Sequence, residues 1–206
     1  EVTKMSGKII TISRQFGSGG HEVGKKLAER LGLNCYDKEL VDAIAKEGRF
    51  EQGFVEANDE QFTTPTYPLI SGFALSLFYQ HSPSDVVFKE QAKMMLRIAD
   101  KGPCVVVGRC ADFVLSPFNP LKVFIYGSTE KRIERKFAMV PEGVELTRED
   151  IRERIEEVDK KREEYHEMYA DGKWGLTEAY DLCINTDKCG IDGAVDTICA
   201  YLESCK

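Results

Sequence analysis

The stretch Lys8-Ile9-Ile10-Thr11-Ile12-Ser13-Arg14-Gln15-Phe16-Gly17-Ser18-Gly19-Gly20-His21-Glu22 decides how this chain reads. A β-branched apolar run, a strand over 8–13, meets a glycine-rich turn. A helical pattern follows from Gly20 to Leu31, with Gly32 as its stop. Strand, glycine turn and helix N-terminus together make a phosphate cradle. Glycines let backbone N–H groups converge on an anion, and the helix dipole turns its positive end the same way. The expectation is a nucleotide triphosphate held by Gly17, Ser18, Gly19, Gly20, His21 and Glu22. Glycines that make only a tight turn are the bland alternative.

The usual phosphate-loop signature, G-x-x-x-x-G-K-[ST], fits here in two registers. Gly19 to Lys26 matches the glycines and the lysine, with Lys26 in place of the hydroxyl residue, but it leaves extra residues after the strand and shortens the helix. Arg14 to Gly20 keeps strand and helix intact. It puts Gly20 at the lysine position and His21-Glu22 after it. Geometry favours the second register. Another cation must then neutralise the phosphates, and Arg14 is the nearest, with Lys25 read as a solvated helix residue.

The remaining chain sets limits. Its 206 residues suit one domain, 42% apolar and 31% charged composition allows a soluble packed core, and a net charge of −7 argues against coating a nucleic-acid polymer. No apolar run reaches membrane-spanning length and the N-terminal residues lack a signal-peptide core, so a cytoplasmic location is expected. Seven cysteines without a Cys-x-x-Cys pair, and three scattered histidines, predict reduced thiols and no zinc site.

Strands at Leu33–Tyr36, Cys104–Val107, Lys122–Tyr126 and Tyr180–Asn185 alternate with helices at 38–46, 85–101, Thr129–Phe137, about 147–169 and Ile191–Leu202. Ser84, Ser128 or Thr129, and Thr147 are the candidate N-caps. The alternation predicts an α/β fold, a parallel sheet with helices on both faces. Residues 48–84 mix Gly and Pro with Phe50, Phe54, Phe62, Tyr67, Phe73, Phe78 and Tyr79, and read as an ordered insertion or a flap.

Gly108-Arg109-Cys110-Ala111-Asp112 follows the most apolar strand. Ligands of open α/β sheets sit beyond the carboxyl ends of strands, and an arginine there offers a fork to a phosphate. Arg109 is therefore a candidate substrate ligand, with a surface ion pair as the alternative. Asp112 is a second candidate, or a carboxylate on a helix dipole. Asp37, just after a short strand, could accept a substrate hydroxyl or cap the next helix. No acidic residue ends an apolar strand directly, so no metal ligand can be named. Arginines concentrate between Arg132 and Arg162, where phosphoryl transfer would want mobile positive charge, though interleaved glutamates make most of them solvated helix pairs. Arg135 and Arg162 are the functional choices, Arg162 because it falls on an apolar stripe with Ile151, Ile155, Val158, Tyr165 and Tyr169.

Taken in order, five segments give the chain a family likeness: residues 12–20, Tyr36-Asp37-Lys38-Glu39-Leu40, Val107-Gly108-Arg109-Cys110-Ala111-Asp112, Asp159-Lys160-Lys161-Arg162 and Tyr180 to Thr186. The chain resembles the cytidylate-kinase-like branch of the P-loop nucleoside monophosphate kinases. The resemblance implies a three-layer α/β/α P-loop NTPase fold in a single domain. Its core would be 8–47 and 102–206, with a helical, acceptor-binding insertion about 48–101 and a lid about 138–165. It implies ATP with Mg2+ at the loop and a nucleoside monophosphate, CMP or dCMP, near Asp37 and Arg109. Asp159 and Arg162 look like the lid's D-x-x-R, and Asn185-Thr186 like the loop beside the ATP base. The lysine, the small hydroxyl residue after it and the aspartate after the substrate arginine are missing, the last replaced by Cys110. A nucleotide-binding sensor or scaffold without transfer activity, and a kinase for a non-nucleotide metabolite, stay open.

Overall fold

The computed structural model describes residues 8–37, 83–141, 143–170 and 174–205. The helix expected at 38–46 and the aromatic-rich segment up to residue 82 lie outside them, as does the capping side chain of Ser84.

Five strands form one parallel sheet: β1 (Ile10–Arg14), β2 (Asn34–Tyr36), β3 (Cys104–Val107), β4 (Leu121–Tyr126) and β5 (Leu182–Asn185), in the order β2-β3-β1-β4-β5. Ile12 pairs in register with Val107 on one side and Val123 on the other. β1 is thus central, and the chain visits its two sides in turn. The loop after it opens at the switch point where such sheets bind ligands.

Alternation along the strands builds two cores. Ile10 and Ile12 join Val105, Val107, Val123, Ile125 and Ile184 against α1 (Gly20–Leu31) and α6 (Thr186–Ser204). Ile9, Cys104 and Val106 face the other way, onto α2 (Pro83–Asp100) and the short α3 (Ala111–Val114). These are the three layers. Two glycines inside α1 cost about 0.5–1 kcal/mol each against alanine. Complete burial of Val23 and Leu27, about 1.5–3 kcal/mol each, outweighs that.

α4 (Thr129–Phe137) and α5 (Arg148–Tyr169) pack through Ile133, Ile151 and Ile155. Ser128 caps α4 and Thr147 caps α5 in a reciprocal capping box with Asp150. The strand expected over 8–13 begins at Ile10 and runs to Arg14, and the last strand begins at Leu182, not Tyr180. α6 begins at Thr186, but Gly190 (φ 66°) kinks it, so a continuous helix starts at Ile191. All seven cysteines are free, and burial pushes the Cys104 thiol up to about 11.

Candidate active site

The turn after β1 is held from outside by its carbonyls. Arg162 donates to Arg14 O at 3.1 Å, Arg132 to Phe16 O at 3.3 Å, Arg135 to Gly17 O at 2.6 Å, and the buried Thr186 hydroxyl to Ser18 O at 2.8 Å. Within the turn, Ser18 Oγ donates to Gln15 O at 2.8 Å, while Gly17 and Gly19 take left-handed φ of 76° and 86°. Gly19 precedes α1 and supplies no capping side chain, and the first-turn residues Gly20, His21 and Glu22 line the cleft.

Two close approaches separate the registers. A Cβ on Gly20 would lie 2.4 Å from Arg14 Cβ. The Arg14 side chain passes through the space a residue-20 side chain would need, so arginine at 14 and glycine at 20 are one arrangement. A Cβ on Gly24 would lie 2.6 Å from Val107 Cγ2. Gly24 therefore lets α1 settle on the sheet, and the exposed Lys26 bonds Asp192 at 2.6 Å. The Gly19-to-Lys26 register has no loop in this fold.

A cleft of about 240 Å³ opens over the turn. Of the residues expected to matter, Arg14, Gly17, Gly19, Gly20, His21, Glu22, Asp37, Arg135 and Arg162 line it, joined by Lys136, whose ammonium sits 4.6 Å over the Phe16 ring. Lys136 was legible only as the neighbour of Arg135 at the basic end of α4.

Beside the cleft, under the ends of β1 and β3, lies a pit of about 20 Å³, room for about one water-sized group. Arg109, Cys110, His166 and Trp174 help line it, and Arg14 and Arg162 border both hollows. Arg109 and Cys110 both have left-handed backbones (φ 62° and 53°), a conformation that costs non-glycine residues about 1 kcal/mol or more and clusters at functional sites. That turn buries the Arg109 side chain to 5% exposure and brings its Nη1 to 3.4 Å from Asp37 Oδ1. The other Asp37 oxygen pairs with His21 Nδ1. Asp37 thus bridges the first turn of α1 to the arginine after β3.

Other candidates lie apart from the cleft. Asp112 is buried against His166, at 2.8 Å from Nε2. Asn185 caps the start of α6 by accepting from Asp187 N–H at 2.8 Å. Asp159 accepts the Phe16 N–H at 2.6 Å and pairs with the buried Arg132. Burial pushes the Asp159 carboxyl up, against the pull of the Phe16 N–H and the Arg132 guanidinium. In this arrangement Asp159 and Thr186 hold the turn's backbone. Arg132 does the same from α4; its position among solvated arginines and glutamates concealed it.

The cytidylate kinase-like family matches this chain over residues 9–188. Cytidylate kinase of Thermotoga maritima is 26% identical over 181 residues, covering 74% of this chain and 81% of that protein. The crystal structure of an uncharacterised protein from Eubacterium ventriosum superposes with TM-score 0.71 at 31% identity, covering 96% of this chain and 99% of the other. A shikimate kinase from Bacteroides thetaiotaomicron, at 16% identity and TM-score 0.54 over 95% of this chain and 98% of its own, shares the fold.

Proposed function

The chain belongs to the cytidylate kinase-like family, and on that premise we propose that it transfers the γ-phosphoryl group of ATP to a small phosphate-bearing acceptor, CMP or dCMP. The observation that carries this reading is the cleft over the glycine turn, lined by Arg14, Arg135, Lys136 and Arg162, with Arg109 tied to its wall through Asp37. Phosphoryl transfer is mostly positioning and stabilisation of charge on the moving group, so cations belong where donor and acceptor sites meet.

In this reading the N–H groups from Gly17 to Glu22 and the Arg14 and Arg135 guanidiniums hold the donor phosphates. Arg109, tied to the cleft wall through Asp37, holds the acceptor's phosphate. Arg162 faces the group in transit. Asp37 fixes Arg109 and orients the acceptor, with Asp112 and His166 supporting the floor. Asn185 flanks the base of the donor. The attacking acceptor oxygen forms the new bond to the γ-phosphorus as the bond to the β,γ-bridging oxygen breaks, and ADP leaves with no covalent intermediate on the protein.

Kinases of this kind use a divalent metal as a rule. Bound Mg2+ would screen the phosphates of the donor. Its fit to the residues present is poor. The hydroxyl that the signature reserves for it is replaced by His21, and among the described residues no group of three His, Cys, Asp or Glu comes together to hold a metal.

One observation favours a second acceptor class. The Asp37 carboxylate in the cleft could take a proton from a hydroxyl, which a phosphate acceptor does not need. A coupled ADP-release screen across nucleoside monophosphates and small hydroxylated metabolites tests both. ADP formation with CMP or dCMP supports the first reading. ADP formation only with a hydroxyl acceptor supports the second. ATP binding without acceptor-dependent ADP formation would leave a sensor.

A further inference from the structure

We infer that this cradle neutralises the donor's polyphosphate with its own side chains and that, among the described residues, neither position 21 nor Asp37 offers magnesium a ligand, because His21 occupies the position of the metal-binding hydroxyl and ties up the neighbouring carboxylate. The inference rests on the ATP reading above.

The placement follows from the Arg14–Gly20 contact. With Arg14 passing over Gly20, the loop runs in the register that makes residue 21 the one after the signature lysine. His21 sits there on the first turn of α1, its imidazole lining the cleft and 40% exposed. Magnesium takes hard oxygen donors in near-octahedral geometry, whereas imidazole nitrogen suits later transition metals.

The adjacent oxygen donor is engaged as well. Asp37 has one oxygen on His21 Nδ1 and the other facing Arg109 Nη1 at 3.4 Å. Its carboxylate therefore belongs to an imidazole–carboxylate–guanidinium chain. Among the described residues, Glu22 is the remaining carboxylate of the cleft lining.

Positive charge is supplied instead by side chains. Among the described residues, Arg14, Arg135, Lys136 and Arg162 line the cleft against Glu22 and Asp37, an excess of two positive charges before His21 is counted. Arginine keeps its charge at any working pH and binds phosphate oxygens through a fork, so the three guanidiniums can do what a metal and a lysine do in the usual loop.

The test is isothermal titration of the full chain with ATP, once in EDTA and once in excess MgCl2. The inference predicts dissociation constants within about threefold of each other, and a His21→Ser variant whose ATP affinity rises about tenfold or more on adding magnesium. Its thermal midpoint in the absence of nucleotide, compared with the parent's, separates lost folding from altered binding. A parent chain that loses about tenfold or more in EDTA overturns the inference, and loss of that dependence in Glu22→Gln would place magnesium on Glu22. A His21→Ser variant as indifferent to magnesium as the parent removes His21 from the explanation. No ATP binding in either buffer sinks the donor-site reading itself.

Discussion

At the scale of single residues, Arg109 carries the sharpest consequence. It is buried to 5%, held in a left-handed turn and faces Asp37. Arg109→Ala is expected to raise the acceptor KM by about tenfold to a hundredfold, the loss of a charged hydrogen-bonding partner worth roughly 1.5–3 kcal/mol, while ATP affinity measured by calorimetry stays unchanged. An unaltered acceptor KM would take Arg109 out of the site. Arg132 and Asp159 predict the opposite pattern, stability lost before specificity. Arg132→Ala strands a buried carboxylate and is expected to cost about 3–5 kcal/mol in chemical denaturation at neutral pH. Burial raises the Asp159 carboxyl in the folded chain, so the protonated form is the one folding favours, and that contribution fades as pH rises through the carboxylate range. The Arg132→Ala deficit should therefore shrink as pH falls into that range; a deficit constant with pH would contradict the burial argument.

At the scale of elements, α5 is a helix whose two ends are explained separately. Its start is local chemistry: Thr147 accepts from Asp150 N–H at 3.1 Å while the Asp150 carboxylate accepts from Thr147 N–H at 2.7 Å. Thr147→Ala should cost about 1 kcal/mol and lower the thermal midpoint by roughly 2–4 °C. Its hold on the cradle is tertiary, through Ile155, fully buried against Ile133. Ile155→Ala should cost about 2–5 kcal/mol in denaturant unfolding, and no loss would mean α5 is not docked there. The same division explains what could be read in advance. Caps, glycine stops and apolar periodicity are local, so α1, α4 and the start of α5 were legible to the residue. The turn's glycines and Arg14 were legible because the strand and helix fix their separation. Arg132, Asp159 and Thr186 were read as ordinary helix charges, lid residues or base contacts, because their task of bonding the backbone of a turn far away in sequence leaves no periodic trace. The His21–Asp37–Arg109 chain joins three separate loop ends that only the sheet order brings together.

At the scale of the whole molecule, one parallel sheet brings the ends of β1, β2, β3, β4 and β5 to a common edge, and the central strand feeds the glycine turn at that edge. Helices from both sides then anchor the turn by its carbonyls. The two hollows meet at Arg14 and Arg162, which concentrates positive charge at the boundary between them. All of this depends on the turn's N–H groups receiving a polyphosphate. The most direct measurement follows the backbone amide resonances of Gly17, Gly19, Gly20 and His21 by NMR as ATP is added. With the polyphosphate on the turn, the largest shifts fall at these four amides and saturate together; a chain that binds ATP while these resonances stay in place and others move would contradict that placement.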